Sequence, residues 1–273
     1  MSASTRTTRR AADGTELLVR SWEPAGPSRG TVVLVHGLAE HSGRYGHVGT
    51  HLAEQGLAVT APDLRGFGGS QGPRAFVHSF DQYLADLDPL IEEATATDLP
   101  VILMGQSMGG LIALRYAQTR LRPDFLVLSA PAVDATIPAP KRLMARLLRR
   151  IVPRLAMLNG IEGEQLSRDP SVGEAYFADP FVYPKTTVAL GGAMLEAMGE
   201  ARAGGVPLPT LVIHGEQDPL VPVEFSAPLA EHEGVRRVTF PDFRHESFNE
   251  AGGATALATV SSWIDARLAQ AAS

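Results

Sequence analysis

The sequence predicts an α/β fold in which a mostly parallel central sheet is covered by helices on both faces. Short apolar runs alternate with longer segments of helical periodicity, which is typical of repeated β-α units. The chain has 273 residues, 44% of them hydrophobic, so that it can bury a sizeable core as one α/β domain. The predicted strands lie near residues 16–22, 31–35, 57–61, 100–104, 125–129, 210–214 and 236–240, and the predicted helices near 45–56, 80–96, 108–120, 222–233 and 254–270.

One connection in this pattern is too long for a single crossover helix. The strands near 125–129 and 210–214 are about 80 residues apart, whereas a whole βαβ unit takes about 30. The surplus predicts an inserted cap of residues 133–203 above the carboxyl edge of the sheet, with residues 1–132 and 204–273 forming the core. Residues 1–12 are polar and predict a flexible tail.

A glycine-flanked serine follows the strand near 100–104. The segment Gly105-Gln-Ser-Met-Gly109 joins this apolar run to a helical segment, so that a strand, a sharp turn and a helix occur in order. In that context the pattern predicts a nucleophile elbow with the hydroxyl of Ser107 exposed at a strained turn. The alternative is that Ser107 serves as an ordinary helix N-cap, for which serine is favoured.

A serine nucleophile needs a histidine base and an acid that orients the base. Asp218 lies in the loop after the penultimate predicted strand and His245 in the loop after the last one, which gives the chain order serine, acid, histidine. Alternatives are that Glu216 or Asp134 supplies the acid, and that Asp218 only forms a turn or His245 only lies on a surface loop. His214 is set aside because it lies within a predicted strand.

Acyl transfer also needs N–H donors for the developing oxyanion. A glycine-containing turn, His36-Gly-Leu-Ala39, follows the strand near 31–35. This turn can place the backbone N–H of Leu38 beside that of Met108, the residue after the elbow serine. Leu38 and Met108 are therefore the predicted oxyanion donors, and His36 is expected to brace the loop.

Several motifs together resemble the monoacylglycerol lipase and lysophospholipase-like branch of the α/β-hydrolase superfamily. The resemblance covers the chain from about Asp13 to the C-terminal helix. It implies the α/β-hydrolase fold with a helical cap after the sixth core strand, the triad Ser107, Asp218 and His245, and the amides of Leu38 and Met108 as oxyanion donors. The motifs are His36-Gly-Leu-Ala-Glu-His-Ser-Gly-Arg-Tyr45, Asp63-Leu-Arg-Gly-Phe-Gly-Gly-Ser-Gln-Gly72, Gly105-Gln-Ser-Met-Gly-Gly110, Leu128-Ser-Ala-Pro-Ala132, Leu166-Ser-Arg-Asp-Pro170 and His214-Gly-Glu-Gln-Asp218.

Some positions depart from the pattern of this branch and bear on the substrate. The branch often has histidine where Gln106 stands, and Asp-Pro-Leu-Val-His where this chain has Asp-Pro-Phe-Val-Tyr ending at Tyr183. Gln106, Phe181 and Tyr183 are therefore predicted to contact the substrate. Glu40 and Arg44 could bind an alcohol group of a glycerol-like substrate, or could instead pair with each other.

Residues 141–152 predict a basic amphipathic helix within the cap. Apolar side chains recur there at spacings of three and four residues, with arginines largely between them. One interpretation is a lid at a lipid interface that makes transient contact with a membrane surface or micelle. The other is a helix whose apolar stripe packs onto the core.

Composition excludes several partners and cofactors. The net charge of −6 argues against nucleic acid, and the absence of cysteine excludes disulfides, thiol nucleophiles and thiolate metal sites. The expected chemistry needs no metal or organic cofactor. The first fifteen residues contain no apolar stretch, so we expect a cytoplasmic protein, with peripheral membrane contact as an option; the oligomeric state stays open.

The predicted function is a serine carboxylester hydrolase that cleaves monoacylglycerol to glycerol and free fatty acid through an acyl-enzyme. A lysophospholipase, a thioesterase and a broad short-chain esterase are alternatives for the same machinery. A ligand-binding pseudo-hydrolase is the alternative from another class. A peptidase is less favoured, because the cap offers only Glu162, Glu164 and Glu174 to hold a peptide amino terminus.

Overall fold

The computed structural model describes residues 4–120, 122–136, 144 and 147–271. Its ten described strands are β1 (Thr5–Arg10), β2 (Glu16–Trp22), β3 (Thr31–Val35), β4 (Ala58–Pro62), β5 (Val101–Gln106), β6 (Phe125–Ser129), β7 (Ala156–Leu158), β8 (Lys185–Thr187), β9 (Thr210–Gly215) and β10 (Val235–Phe240). Eight of them form one sheet in the order β1-β2-β4-β3-β5-β6-β9-β10. The strands from β4 to β10 in that order run parallel, whereas β1 and β2 are antiparallel to their neighbours.

The described helices are α1 (Gly46–Glu54), α2 (Asp81–Thr95), α3 (Met108–Arg120), α4 (Gly163–Leu166), α5 (Pro170–Ala178), α6 (Val188–Gly204) and α7 (Gly253–Ala271), and residues 147–151 are also helical. Short 3₁₀ segments span Ser42–Tyr45 and Val223–Glu231. The second of these lies where an α-helix was predicted. Pro228 lies inside it, and because proline lacks an N–H and crowds the preceding turn, the α-helical pattern cannot continue there.

Helices cover both faces of the sheet, as predicted for a parallel α/β fold. In β5, Ile102 and Met104 point to the face that α1 and α7 cover, and Leu103 points to the opposite face, as the two-residue period of a strand requires. On that opposite face α2, α3 and α6 pack against the sheet. Because both faces of the sheet are buried, the parallel strands are continuous apolar runs in the sequence. This is why the sequence pattern predicted their positions.

The prediction of a flexible tail over residues 1–12 is wrong for Thr5–Arg10. These residues form the edge strand β1, which pairs antiparallel with β2 from Thr5 opposite Ser21 to Arg10 opposite Glu16. The strand is exposed along most of its length, so that it lacks the apolar alternation by which a half-buried strand is recognised. An ion pair of 2.8 Å between Arg9 and Glu93 links it to α2.

The insertion leaves the sheet after β6, as predicted, but it is shorter than residues 133–203. Helix α6 packs against α3 and the core, with Leu190, Ala193 and Ala197 buried there, so it belongs to the core layer. We define the cap segment as residues 133–187, in which β7 and β8 form a small antiparallel sheet. Much of the predicted helix at 141–152 lies outside the described residues. Among the helices that the structure does describe, none combines the length and apolarity needed to cross a bilayer.

Candidate active site

Ser107 lies at the turn between β5 and α3, with a positive backbone φ of 54°. Its N–H donates to the Ser129 carbonyl oxygen at 2.9 Å, which fixes the turn against β6. A Cβ at Gly105 would lie 2.2 Å from the Gly109 carbonyl oxygen, and one at Gly109 would lie 2.1 Å from the Val35 carbonyl oxygen. Both flanking positions therefore require glycine, and the observed strand, strained turn and helix form the elbow that the motif predicts.

Asp218 and His245 meet at the carboxyl edge of the same sheet. The Nδ1 atom of His245 lies 2.7 Å from Oδ2 of Asp218. The other carboxylate oxygen, Oδ1, accepts the backbone N–H groups of Leu220 and Val221, each at 2.9 Å. Burial raises the pKa of Asp218, but the charge of His245 and the donated hydrogen bonds lower it more, so that its pKa lies well below the usual value. Asp218 is therefore ionised beside His245.

The environment of His245 favours its protonated form. Burial lowers the pKa of His245, whereas the charge and hydrogen bond of Asp218, with smaller contributions from Glu246 and Glu40, raise it, and the net pKa lies above 6.5. In the neutral ring the Nδ1 hydrogen is donated to Asp218, which leaves Nε2 as a proton acceptor. This arrangement suits a base that must also stabilise its own cation.

The two alternative acids are occupied elsewhere. Glu216 accepts the hydroxyl of Thr239 at 2.6 Å on the surface. Asp134 pairs with Arg202 at 2.8 Å. Among the described acidic residues, the one that hydrogen bonds to the ring of His245 is Asp218.

The loop after β3 is braced as the sequence predicted. The N–H of Leu64 donates to Nε2 of His36 at 2.9 Å, so Nδ1 of that ring carries the hydrogen and donates to the Gly37 carbonyl oxygen at 2.7 Å. Leu38 lines the same cavity as Ser107. Met108 is the first residue of α3, so its N–H points out of the intrahelical bonding pattern. The role of these two amides as oxyanion donors stays a prediction.

Glu40 and Arg44 form an ion pair, which was one of the two interpretations left open by the sequence. Arg44 Nη1 lies 2.7 Å from Glu40 Oε2, and the same guanidinium binds both oxygens of Glu246 at 2.5 and 2.7 Å. Glu40 also accepts the N–H of Gly37 and the hydroxyl of Tyr45, both at 2.7 Å. The cluster therefore joins the loop that carries Leu38 to the loop that carries His245. Sequence reasoning missed Glu246, whose only signal is its position directly after His245.

A cavity of about 390 Å³ opens onto the elbow. Its polar lining residues include Ser107, Gln106 and His245. Most of its remaining wall is apolar and comes from α6, the cap segment and the loops that follow β9; the apolar lining residues include Ile161, Leu166, Met194, Met198, Leu220, Val221 and Phe225. A site of this size and polarity is typical of a small-molecule pocket.

The structure separates the three residues that were predicted to shape substrate binding. Gln106 lines the cavity, and its Nε2 donates to the His245 carbonyl oxygen at 2.9 Å. Phe181 and Tyr183 are not among the described residues that line the cavity. Phe181 lies half exposed with its ring 5.5 Å from that of His41. The N–H of Tyr183 donates to the Ala39 carbonyl oxygen at 2.9 Å, and its ring lies beneath Arg74.

Comparison with known proteins identifies the family. A family model described as Hydrolase_4, serine aminopeptidase S33, matches residues 26–252. The chain belongs to this hydrolase family. The hydrolase is 37% identical over 268 residues to the monoacylglycerol lipase of Mycolicibacterium smegmatis, covering 93% of this chain and 95% of that protein. It is also 30% identical to the monoglyceride lipase of Mus musculus, covering 95% of this chain and 90% of that protein.

A solved structure supports the same assignment. The crystal structure of Paleococcus ferrophilus monoacylglycerol lipase matches this hydrolase with a TM-score of 0.83 at 33% sequence identity, covering 90% of this chain and 97% of that chain. The predicted α/β-hydrolase fold and the family resemblance are therefore confirmed. The chain is a carboxylic ester hydrolase of the α/β-hydrolase superfamily.

Proposed function

We propose that this hydrolase cleaves a monoacylglycerol into glycerol and a free fatty acid. The observation that carries the proposal is that Ser107 and His245, the histidine that Asp218 binds, line one cavity whose remaining wall is largely apolar. Such a wall suits a single acyl chain, and the polar lining residues suit the ester and its alcohol. The names of the relatives and of the similar crystal structure support the same substrate.

The reaction proceeds through an acyl-enzyme. The Ser107 oxygen attacks the ester carbonyl carbon while Nε2 of His245 accepts the hydroxyl proton, and Asp218 stabilises the resulting imidazolium. The backbone N–H groups of Leu38 and Met108 stabilise the oxyanion. His245 then protonates the departing glycerol oxygen, which leaves the acyl group on Ser107. His245 then deprotonates a water that attacks this ester, and its imidazolium returns the proton to the Ser107 oxygen as the bond between Ser107 and the acyl group breaks and the fatty acid leaves.

An aminopeptidase activity, which the family description names, is less compatible with the cavity. A free amino terminus needs an unpaired carboxylate, and the described lining residues include Glu40, Glu246 and Asp134. Arg44 binds the first two and Arg202 binds the third. These three carboxylates are therefore already neutralised by arginine side chains.

The test is release of glycerol and fatty acid from a chain-length series of monoacylglycerols, beside matched diacylglycerols, lysophospholipids, p-nitrophenyl esters, acyl thioesters and aminoacyl anilides. We expect the highest kcat/KM on a monoacylglycerol, and a loss of about a millionfold in kcat for Ser107→Ala. Ser129→Ala is the matched control, because its hydroxyl is buried and finds no hydrogen-bond partner in the described part of the chain.

Other outcomes of this experiment would redirect the proposal. Preference for lysophospholipids, thioesters or simple esters would keep the mechanism and change the substrate. Failure of a fluorophosphonate to label the folded wild-type protein would contradict the serine nucleophile and favour a ligand-binding pseudo-hydrolase.

The surface of the cap segment supports a second proposal, peripheral contact with lipid. Ile151, Leu155, Met157 and Leu158 are 74%, 51%, 57% and 75% exposed. Complete burial of a fully exposed side chain of this kind is worth about 1.5–3 kcal/mol, and these side chains gain in proportion to their exposure. We expect Ile151→Glu/Leu158→Glu to weaken sedimentation with anionic vesicles by at least about tenfold. The matched control is Ala258→Glu on the exposed side of α7. Equal sedimentation of the wild type and the double variant would contradict this contact.

A further inference from the structure

A second histidine contacts the carboxylate of Asp218. His214 is fully buried near the end of β9. Its Nε2 lies 3.2 Å from Asp218 Oδ2 and 2.9 Å from the Val221 carbonyl oxygen. The same carboxylate oxygen accepts Nδ1 of His245 at 2.7 Å. Two histidine rings therefore meet on one oxygen, and of the two it is His245 that lines the cavity.

The surrounding hydrogen bonds assign the hydrogen of the His214 ring. A backbone carbonyl can only accept, so the contact with Val221 requires that Nε2 of His214 carries the hydrogen. In the neutral ring Nδ1 is then an acceptor, and the hydroxyl of Ser226 lies 2.8 Å from it. Nδ1 of His214 therefore accepts from Ser226, and the single Nε2 hydrogen of His214 is shared between the Val221 carbonyl oxygen and Asp218. The ring acts as a directed donor towards the carboxylate.

Arg237 on β10 extends this series of hydrogen bonds. Its Nε donates to the Ser226 oxygen at 2.9 Å, and its Nη2 donates to the Val223 carbonyl oxygen at 2.7 Å. The Ser226 hydroxyl has two acceptors within reach, this carbonyl at 3.0 Å and Nδ1 of His214 at the shorter distance of 2.8 Å. Donors thus point in one direction from Arg237 through Ser226 and His214 to Asp218, and each bond polarises the next.

We propose that His214 is a positioning residue that holds the Asp218 carboxylate in line with His245 during ester hydrolysis. The inference rests on the proposed function and deepens it. Two backbone N–H groups hold Oδ1 of Asp218, and the two rings hold Oδ2. Loss of the His214 donor removes one of the hydrogen bonds that restrain rotation of the carboxylate. The lost bond is at Oδ2, the oxygen that pairs with His245.

The charged groups around the two histidine rings determine how the pH profile of kcat/KM responds to loss of the His214 donor. His245 faces Asp218 and, with smaller effects, Glu246 and Glu40. His214 faces Asp218 and, through Ser226, Arg237. Burial alone lowers the pKa of His245, and the aligned Asp218 raises it. If Asp218 turns away, the pKa of His245 falls, so the acid limb of kcat/KM moves to lower pH while the maximal rate falls.

The experiment compares His214→Leu with His214→Gln in the full-length enzyme. Leucine removes the donor, whereas the glutamine amide can place an N–H near the position of Nε2. For His214→Leu we expect kcat to fall by about 10- to 100-fold, as for loss of a hydrogen bond to a charged group, with KM unchanged. The acid limb should move to lower pH. His214→Gln should recover most of kcat and the original limb.

The matched control is His51→Leu, which removes a histidine–serine hydrogen bond of the same 2.8 Å length, to Ser261, away from the cavity. If His214→Leu does not fold, Ser226→Ala replaces it and should show the same shift with a smaller loss. Unchanged kcat and pH limb in a folded His214→Leu, or in Ser226→Ala, would overturn the inference. The rate of fluorophosphonate labelling is followed in parallel, because an unlabelled wild type contradicts the proposed function itself.

Discussion

Asp218→Asn is expected to lower kcat by about 10⁴-fold while the protein stays folded. The reason lies in how the side chain is held. The backbone N–H groups of Leu220 and Val221 both point at Oδ1, so an asparagine must place its carbonyl oxygen there. Its amide NH₂ then faces His245 at the position of Oδ2. Because that NH₂ donates, the Nδ1 atom of His245 becomes the acceptor and Nε2 carries the hydrogen. A ring in that tautomer cannot take the proton of Ser107.

The measurement is kcat and KM for a soluble p-nitrophenyl ester, together with a urea unfolding curve and the rate of fluorophosphonate labelling. Glu216→Gln is the matched control, because Glu216 was the alternative acid and pairs with a surface hydroxyl. We expect it to retain wild-type kcat. A folded Asp218→Asn enzyme that hydrolyses the ester at the wild-type rate would remove Asp218 from the mechanism.

The core of the site was predictable because its parts follow strands of one parallel sheet. In the ladder, Gly105 lies opposite Val35 and Leu128, and Gly215 lies opposite Phe240. Strands in such register end at one edge, so the loops that follow them meet there. The elbow motif, the acid and the histidine could each be located from local sequence, and the rules of parallel sheets bring the loops that carry them together.

The remaining parts depend on contacts between distant residues. Arg44 and Glu246 are 202 positions apart, and nothing in either segment names the other as its partner. Met194 and Met198 of α6 line the cavity, although their helix packs on the core and was assigned to the cap. Phe181 was placed in the pocket by its position in a motif, but the path of the chain carries it to the surface. Local patterns do not determine such long-range placement.

Arg44→Met is expected to destabilise the fold by about 3–5 kcal/mol, because it leaves two buried carboxylates without their cation. The Arg44 side chain is 10% exposed, and those of Glu40 and Glu246 are 6% and 7% exposed. Burial lowers the pKa of Arg44, but the two carboxylates raise it further above its usual value, so the guanidinium stays charged. Urea unfolding measures the loss. Arg9→Met, which breaks an exposed ion pair with Glu93, should cost no more than about 1 kcal/mol.

The loss of stability in Arg44→Met should also depend on pH. In the wild type, burial raises the pKa of Glu40, but Arg44 and the other partners lower it below 4.5. Glu40 therefore contributes stability above that pH, and the contribution is lost as the pH falls through its folded pKa. In Arg44→Met the effect of burial remains and the largest opposing charge is gone. The pKa of Glu40 therefore rises in the variant, so that acidification protonates Glu40 and removes the cost of its unpaired buried charge. The difference in unfolding free energy between the wild type and Arg44→Met should narrow towards about pH 4.5.

The double variant Arg44→Met/Glu246→Gln separates the charge effect from lost packing. Removing one carboxylate together with the cation should restore part of the stability, so that the double variant is more stable than Arg44→Met alone. Catalysis should recover less, because Glu40 still lacks its partner while it holds the Gly37 N–H beside Leu38. Equal stability of the single and double variants at neutral pH would show that the guanidinium contributes packing and not charge balance. The loop bearing Leu38 would then not depend on this ion cluster for its position.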